Sequence, residues 1–191
     1  MIIARTAELG EEQLAIGSMR CPRCRRAELI SWGYGRERTV RSHGAATVTV
    51  RPRRVRCGSC GSTHIVLPAA LQPRRADTTA VIGTALLHKA NGLGHRRIAA
   101  TMGRPASTVR RWLRRTTPTH LHWIYQRGVQ RLVQLAPDTL HELRYDGNPL
   151  RHALSVLAAA AYWDRHRFGF TDPPWTLIGI YTRGRLLAPP G

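Results

Sequence analysis

A mainly α chain with a small β zinc ribbon near its N-terminus is predicted by three features of this 191-residue sequence. Four cysteines form two pairs of identical spacing; residues 29–56 alternate apolar and polar side chains around turn signals; and three short helical patterns follow within residues 77–115. These features divide the chain into a ribbon over 18–68, a trihelical helix-turn-helix over 76–116, a helical region over 120–170 and a flexible tail over 171–191.

The cysteine pairs are Cys21-Pro-Arg-Cys24 and Cys57-Gly-Ser-Cys60, and they use every cysteine present. Two thiolates three residues apart can close round one ion through a tight turn. Two such turns supply the four sulfurs that tetrahedral Zn²⁺ prefers. The 32 residues from 25 to 56 suit a ribbon whose strands separate the turns. Gly58 and Gly61 fit the second turn, where amides bend inward toward sulfur, whereas the first has Pro22 and Arg25 instead. Two disulfides or a rubredoxin-type iron site are the competing readings. Residues 1–20 carry Arg5, Glu8, Glu11 and Glu12 and no apolar run of signal-peptide or membrane-span length. That predicts a cytoplasmic protein with reduced thiols, and so one structural zinc. His43 and His64 are read as surface residues, since four thiolates already fill the site.

Between the pairs, residues 29–41 and 45–56 read as strands around a Ser-His-Gly turn at 42–44, with Val48 and Val50 on one face and Thr47 and Thr49 on the other. Pro52 restricts the second strand to an edge or a bulge. A third strand, Ser62 to Leu67, completes the ribbon, and Pro68 to Arg75 reads as a linker.

Asp77 is placed to cap a helix running to Ala90, with Val81, Ile82, Ala85, Leu86 and Ala90 as its apolar stripe and Asn91-Gly92 as its stop. A second helix spans His95 to Met102 and turns Ile98, Ala99 and Met102 inward. Gly103 makes the turn, and Pro105 opens a third helix through Arg115. Ala99 allows close crossing, and Val109 and Trp112 bury the third helix. Arg104 departs from the pattern, since this turn position is more often apolar.

Farther on, helices are predicted from about His122 to Leu135 and from Pro149 to His166. The run Ala153 to Trp163 is apolar almost all round yet too short to cross a membrane, which makes it a core or partner-facing helix. A short helix at Trp175 to Thr182 lies within the predicted tail.

Charge points to a polyanionic partner, although a GC-rich genome would also favour arginine over lysine. The chain has 30 basic and 11 acidic residues, for a net charge of +19, and Lys89 is its single lysine. Residues 69–120 hold 10 basic residues against one acidic, the most one-sided stretch. Such an excess calls for a polyanion, most simply double-stranded DNA. On a recognition helix, Ser107, Arg110 and Arg111 are placed to read base edges, Arg because its fork fits guanine O6 and N7. Thr108, Arg96, Arg97, Arg114 and Arg115 are better placed for phosphates. Arg51, Arg53, Arg54 and Arg56 would give the ribbon a second DNA-facing surface, and His120 and His122 end the basic stretch where a phosphate could lie.

The CPxC turn, the Arg-rich strand leading into RCGSCG, the G-x-G-x-x-x-I-A segment at Gly92 to Ala99 and STVRRWLRR at Ser107 to Arg115 resemble the N-terminal region of insertion-sequence transposases. They also resemble short actinobacterial helix-turn-helix proteins of unknown function. The likeness covers roughly residues 18–116. It implies recognition of an element's terminal repeats by the ribbon and helix-turn-helix, with strand chemistry assigned to a separate ribonuclease-H-like domain. The 76 residues after Arg115 are short for such a domain of ~100 residues or more. Asp138, Glu142, Asp146, Asp164 and Asp172 are accordingly read as solvated or ion-paired.

The expectation is a cytoplasmic, nucleoid-associated, zinc-containing protein that binds DNA sequence-specifically, belongs with a mobile element and has no catalytic domain. A homodimer or a transposase partner would dock through the C-terminal helices. A transcriptional regulator, a transposase subunit with catalysis in trans and an iron–sulfur electron carrier are the alternatives.

Overall fold

In the computed structural model, which describes residues 1–187, six strands precede most of the helices. Strands β1 (Ile2–Ala4), β2 (Leu29–Tyr34), β5 (Arg53–Cys57) and β6 (Thr63–Pro68) form one sheet in the order β1-β6-β5-β2, while β3 (Arg38–Arg41) and β4 (Thr47–Val50) form a separate hairpin. Residues 1–17 lie outside the ribbon predicted over 18–68, yet they complete its sheet. β1 runs parallel to β6, with Ile3 beside Leu67. Helix α1 (Ala7–Ala15), capped by the Thr6 hydroxyl, lays Gly10 where a Cβ would stand 3.1 Å from that of Ala4.

Each long predicted strand is broken into two. Gly33, at φ +79°, bulges β2 and shifts its register against β5 between Ser31 and Tyr34, and β2 ends at Tyr34, before residues 35–37 lead into β3. Pro52, lacking an N–H for the ladder, separates β4 from β5. The hairpin is thereby swung off the sheet, and Val40 and Val50 pack with Leu71 in a small cluster of their own. Val48, expected beside Val50, is exposed.

Leu71 belongs to the stretch read as a linker, which is instead a buried strap. Ala69, Leu71 and Gln72 are each at most 2% exposed. The Ala69 amide donates to Ala4 O (2.8 Å), and Gln72 Nε2 donates to Thr79 Oγ1 (3.2 Å). Beyond the strap come α2 (Thr79–Ala90), α3 (His95–Met102) and α4 (Ala106–Leu113). Thr78, not Asp77, caps α2 by accepting from the Val81 amide. Gly103 ends α3 at φ 59°, a conformation glycine takes without a Cβ penalty. Ile98, Ala99, Val109 and Trp112 are buried, as their spacing predicts.

Asp77 has a different task. Its side chain is 3% exposed and accepts from Arg104 Nε at 2.7 Å and from Arg41 Nη2 at 2.8 Å. The Arg104 guanidinium also donates to Ser42 O at 2.5 Å. The residue that broke the expected turn pattern therefore fastens the α3–α4 turn to the β3–β4 hairpin.

Helices α5 (Pro118–Leu135), α6 (Pro137–Glu142), α7 (Pro149–Phe168) and α8 (Pro174–Tyr181) complete the fold. They share one hydrophobic core with α2–α4, from Val81 to Leu187. Gly128 of α5 lets α7 approach closely, since a Cβ there would lie 3.0 Å from Leu157 N. Residues 171–187 are not a loose tail. Leu177, Ile178, Leu186 and Leu187 are buried, and a Cβ at Gly179 would fall 2.1 Å from Ala69 O. Residues 188–191 of the predicted tail lie outside the described residues. His120, expected near a phosphate, is fully buried. Its Nε2 donates to Leu186 O (3.0 Å), and burial pushes its pKa down, which favours the neutral ring.

Two outcomes are expected. Asp77→Ala leaves a buried guanidinium unpaired and should lower stability by about 3 kcal/mol in chemical denaturation. Gly179→Ala forces α8 off the strap and should cost about 1–3 kcal/mol, read as a lower denaturation midpoint with an unchanged slope.

Candidate metal centre and basic face

The two cysteine turns have the same backbone design. The Arg25 amide donates to Cys21 O (2.8 Å) and the Gly61 amide to Cys57 O (3.1 Å). The residue after each second cysteine is left-handed, with φ 58° at Arg25 and 69° at Gly61. The glycine at 61 fits the strain expected from sequence, while Arg25 bears it with a side chain. Cys57 ends β5, and the Cys21 amide bonds to Ala27 O just before β2, so neighbouring strands hold the turns face to face.

All four sulfur atoms lie within 4.8 Å of one another. Cys21 Sγ is 3.7 Å from Cys60 Sγ, and Cys24 Sγ is 3.6 Å from Cys57 Sγ. A disulfide would bring sulfurs to about 2.05 Å. Four thiolates about 2.3 Å from a tetrahedral ion would stand about 3.8 Å apart. The geometry therefore matches a site that could hold a metal such as zinc. Cys21 and Cys57 are buried, Cys24 is half-buried and Cys60 is exposed.

The thiols do not ionise alike. Amides of Ala27 and Arg26 lower Cys24, and the Ser62 hydroxyl and amide pull Cys60 down to about 6. The Cys60 amide favours the Cys57 thiolate, but burial and the neighbouring thiols outweigh it and raise Cys57 to about 11. Four thiolates crowd too much negative charge for all to form unaided, and a divalent cation removes that conflict. His64 Nε2 lies 3.5 Å from Cys21 Sγ, beside the cluster and not on the open surface expected for it.

The second candidate site is a cleft between the start of α3 and one face of α4. Arg96, Ser107, Arg110, Arg111, Arg114 and Arg115 line it with His95 and Ala106, and its lining holds no carboxylate. Six of the eight helical residues singled out from sequence are thus brought together. Thr108 is half-buried on α4, and Arg97 is exposed but outside this lining. Val109 and Trp112 anchor the opposite face of α4 in the core, which fixes which side the arginines present.

The ribbon arginines divide. Arg53 lies over the Tyr34 ring (4.4 Å), pairs with Glu11 (3.3 Å) and donates to Ser31 Oγ (2.8 Å), so it braces β5 against β2 and α1. Arg51 also lies over Tyr34 and Arg56 over Trp32. Arg54 is exposed in a cleft with Arg36, Arg38 and Arg74. Arg36, Arg38, Arg74 and Arg75 were missed from sequence, although the Arg74-Arg75 pair after Pro73 was a visible signal. Three of the five carboxylates singled out after Arg115 are held: Asp146 by Arg151, Asp172 by Arg5, and buried Asp164 by Arg131 and the Tyr181 hydroxyl, while Asp138 and Glu142 are exposed. No helix among the described residues is long and apolar enough to cross a membrane.

Residues 21–112 match a family model described as a domain of unknown function (DUF6431). The span runs from the first cysteine to Trp112 of α4, so it includes cysteine turns, strap and short helices together. No curated protein and no solved structure matches the chain.

The purified protein should carry one zinc per chain, measured by elemental analysis, and Cys21→Ser or Cys57→Ser should lose it. Chelation should open amide exchange at 21–29 and 57–67 first, because those residues pack around the cysteines, while the separate helical core keeps its protection.

Proposed function

We propose that this is a zinc-containing, sequence-specific double-stranded-DNA-binding protein, in which α3, the Gly103 turn and α4 act as a helix-turn-helix. The observation that carries the reading is the arginine cleft on α4, built without a carboxylate and held outward by buried Val109 and Trp112. A helix set this way can enter a major groove with its N-terminal half at the base edges. Ser107, Arg110 and Arg111 then face bases, and Arg96, Arg114 and Arg115 face phosphates. Zinc closes the cysteine turns and fixes the ribbon.

The likeness of the cysteine and helix motifs to insertion-sequence transposases supports the terminal repeats of a mobile element as the target. The role proposed is recognition without strand chemistry, supported by the ion pairs that hold Asp146, Asp164 and Asp172.

Selection from random duplexes should return a defined sequence. Arg110→Ala and Arg111→Ala should each weaken it by about 1–3 kcal/mol and relax preference at one position, measured as the affinity ratio between the selected site and a scrambled one. An equal loss on every sequence would assign both arginines to phosphates. Absence of any duplex preference in the wild type would refute the proposal.

A further inference from the structure

The cleft on α4 does not stop at α4. Arg115 lines it and also lines a second cleft with Arg74, Arg75 and Arg185. Arg74 in turn lines a third cleft with Arg36, Arg38 and Arg54 of the ribbon. The described linings of all three clefts contain no Asp or Glu. Two shared arginines, Arg115 and Arg74, thus link three neighbouring basic clefts from the helices to the ribbon. Arg75 lies close enough to Arg115 and Arg111 that, after burial, their charges hold its pKa below the usual arginine range. Like charges gathered at Arg74, Arg75 and Arg115 repel one another, a repulsion that a polyanion from outside the chain relieves.

The strap that carries Arg74 and Arg75 is rigid. Gln72, 2% exposed, donates to Thr79 Oγ1 and accepts from the Leu186 amide at 3.2 Å, and Arg38 Nη1 donates to Arg75 O at 3.2 Å. Arg74 is held at φ 56°, a left-handed conformation that a residue with a Cβ seldom adopts and that gathers at functional sites. Arginines on a fixed strap lose less freedom on meeting a ligand than arginines on a loose linker.

Resting on the DNA-binding reading above, we infer that the strap is a second phosphate-contacting element: the duplex continues from α4 across Arg74 and Arg75 toward Arg54 and Arg36 on the ribbon edge. The ligand class is the phosphodiester backbone of duplex DNA, because a chain of open clefts matches an extended polyanion better than a single nucleotide. The strap adds affinity and length of footprint without adding sequence information.

The test uses the full zinc-loaded chain, the selected duplex and the same duplex trimmed to the α4 site. Arg74→Ala with Arg75→Ala should reduce the slope of log affinity against log salt by about 2 on the long duplex, since each neutralised phosphate contributes about 0.9. It should shorten the backbone footprint at one end and leave base preference unchanged. Arg74→Lys with Arg75→Lys keeps the charges and should restore the slope. On the trimmed duplex the alanine pair should match the wild type. Unchanged slope and footprint in the alanine pair, while Arg110→Ala still relaxes preference, would overturn the strap and leave the DNA reading standing. A slope that lysine does not restore would likewise overturn it in favour of a purely structural role. A wild type that binds no duplex would overturn both.

Discussion

A single buried carboxylate sets the relation between the two halves of this molecule. Asp77 accepts from Arg41 of the hairpin and from Arg104 of the α3–α4 turn, and Arg104 reaches on to the Ser42 carbonyl. In a chain of net charge +19, two guanidinium groups brought this close would repel without the anion between them. Asp77 is the one acidic residue between 69 and 120, so no neighbour in sequence can replace it. Its geometry orients the turn ahead of α4, and hence the direction in which the arginine face points. The family match fits this arrangement, because it runs unbroken from the cysteine turns through Asp77 to Trp112.

The cysteine cluster acts on the other side of that joint. Its two turns repeat one backbone pattern, with a left-handed residue after each second cysteine and an amide returned to the carbonyl of the first. The ribbon core around Cys21, Cys57, Leu29 and Val55 is small and separate from the helical core. So small an apolar cluster gains much of its order from whatever ties the sulfurs together. The hairpin belongs to neither core. It rests on Leu71 of the strap and on the Asp77 pairs, so it links the cysteine-bearing sheet to the helical core.

Local rules made much of this legible. The bounds of α3 and the buried set Ile98, Ala99, Val109 and Trp112 follow from helical spacing and from Gly103 as a stop. The cysteine spacing announced a metal-type cluster, and the geometry agrees with it. Legibility failed where partners are distant in sequence. β1 looked featureless because its partner, β6, lies some sixty residues away. The strap looked like a linker because prolines and arginines usually mean solvent, yet Ala4 and Gly179 close over Ala69 from both ends of the chain. The C-terminal segment looked frayed for the same reason: Leu186 is held by His120 and Gln72, neither of which is near it in sequence.

By itself, then, the sequence determined which residues could bind a metal, which positions would be helical and buried, and that the middle of the chain would be strongly cationic. These follow from spacing, periodicity and charge, which act over a few residues. Only the tertiary structure decided that Arg104 is a buried tie and not a misplaced turn residue, that Arg53 braces the ribbon, and that Arg74 and Arg115 each line two neighbouring basic clefts. Those roles depend on burial and on which charges meet, and an arginine's own neighbours in sequence carry no record of either.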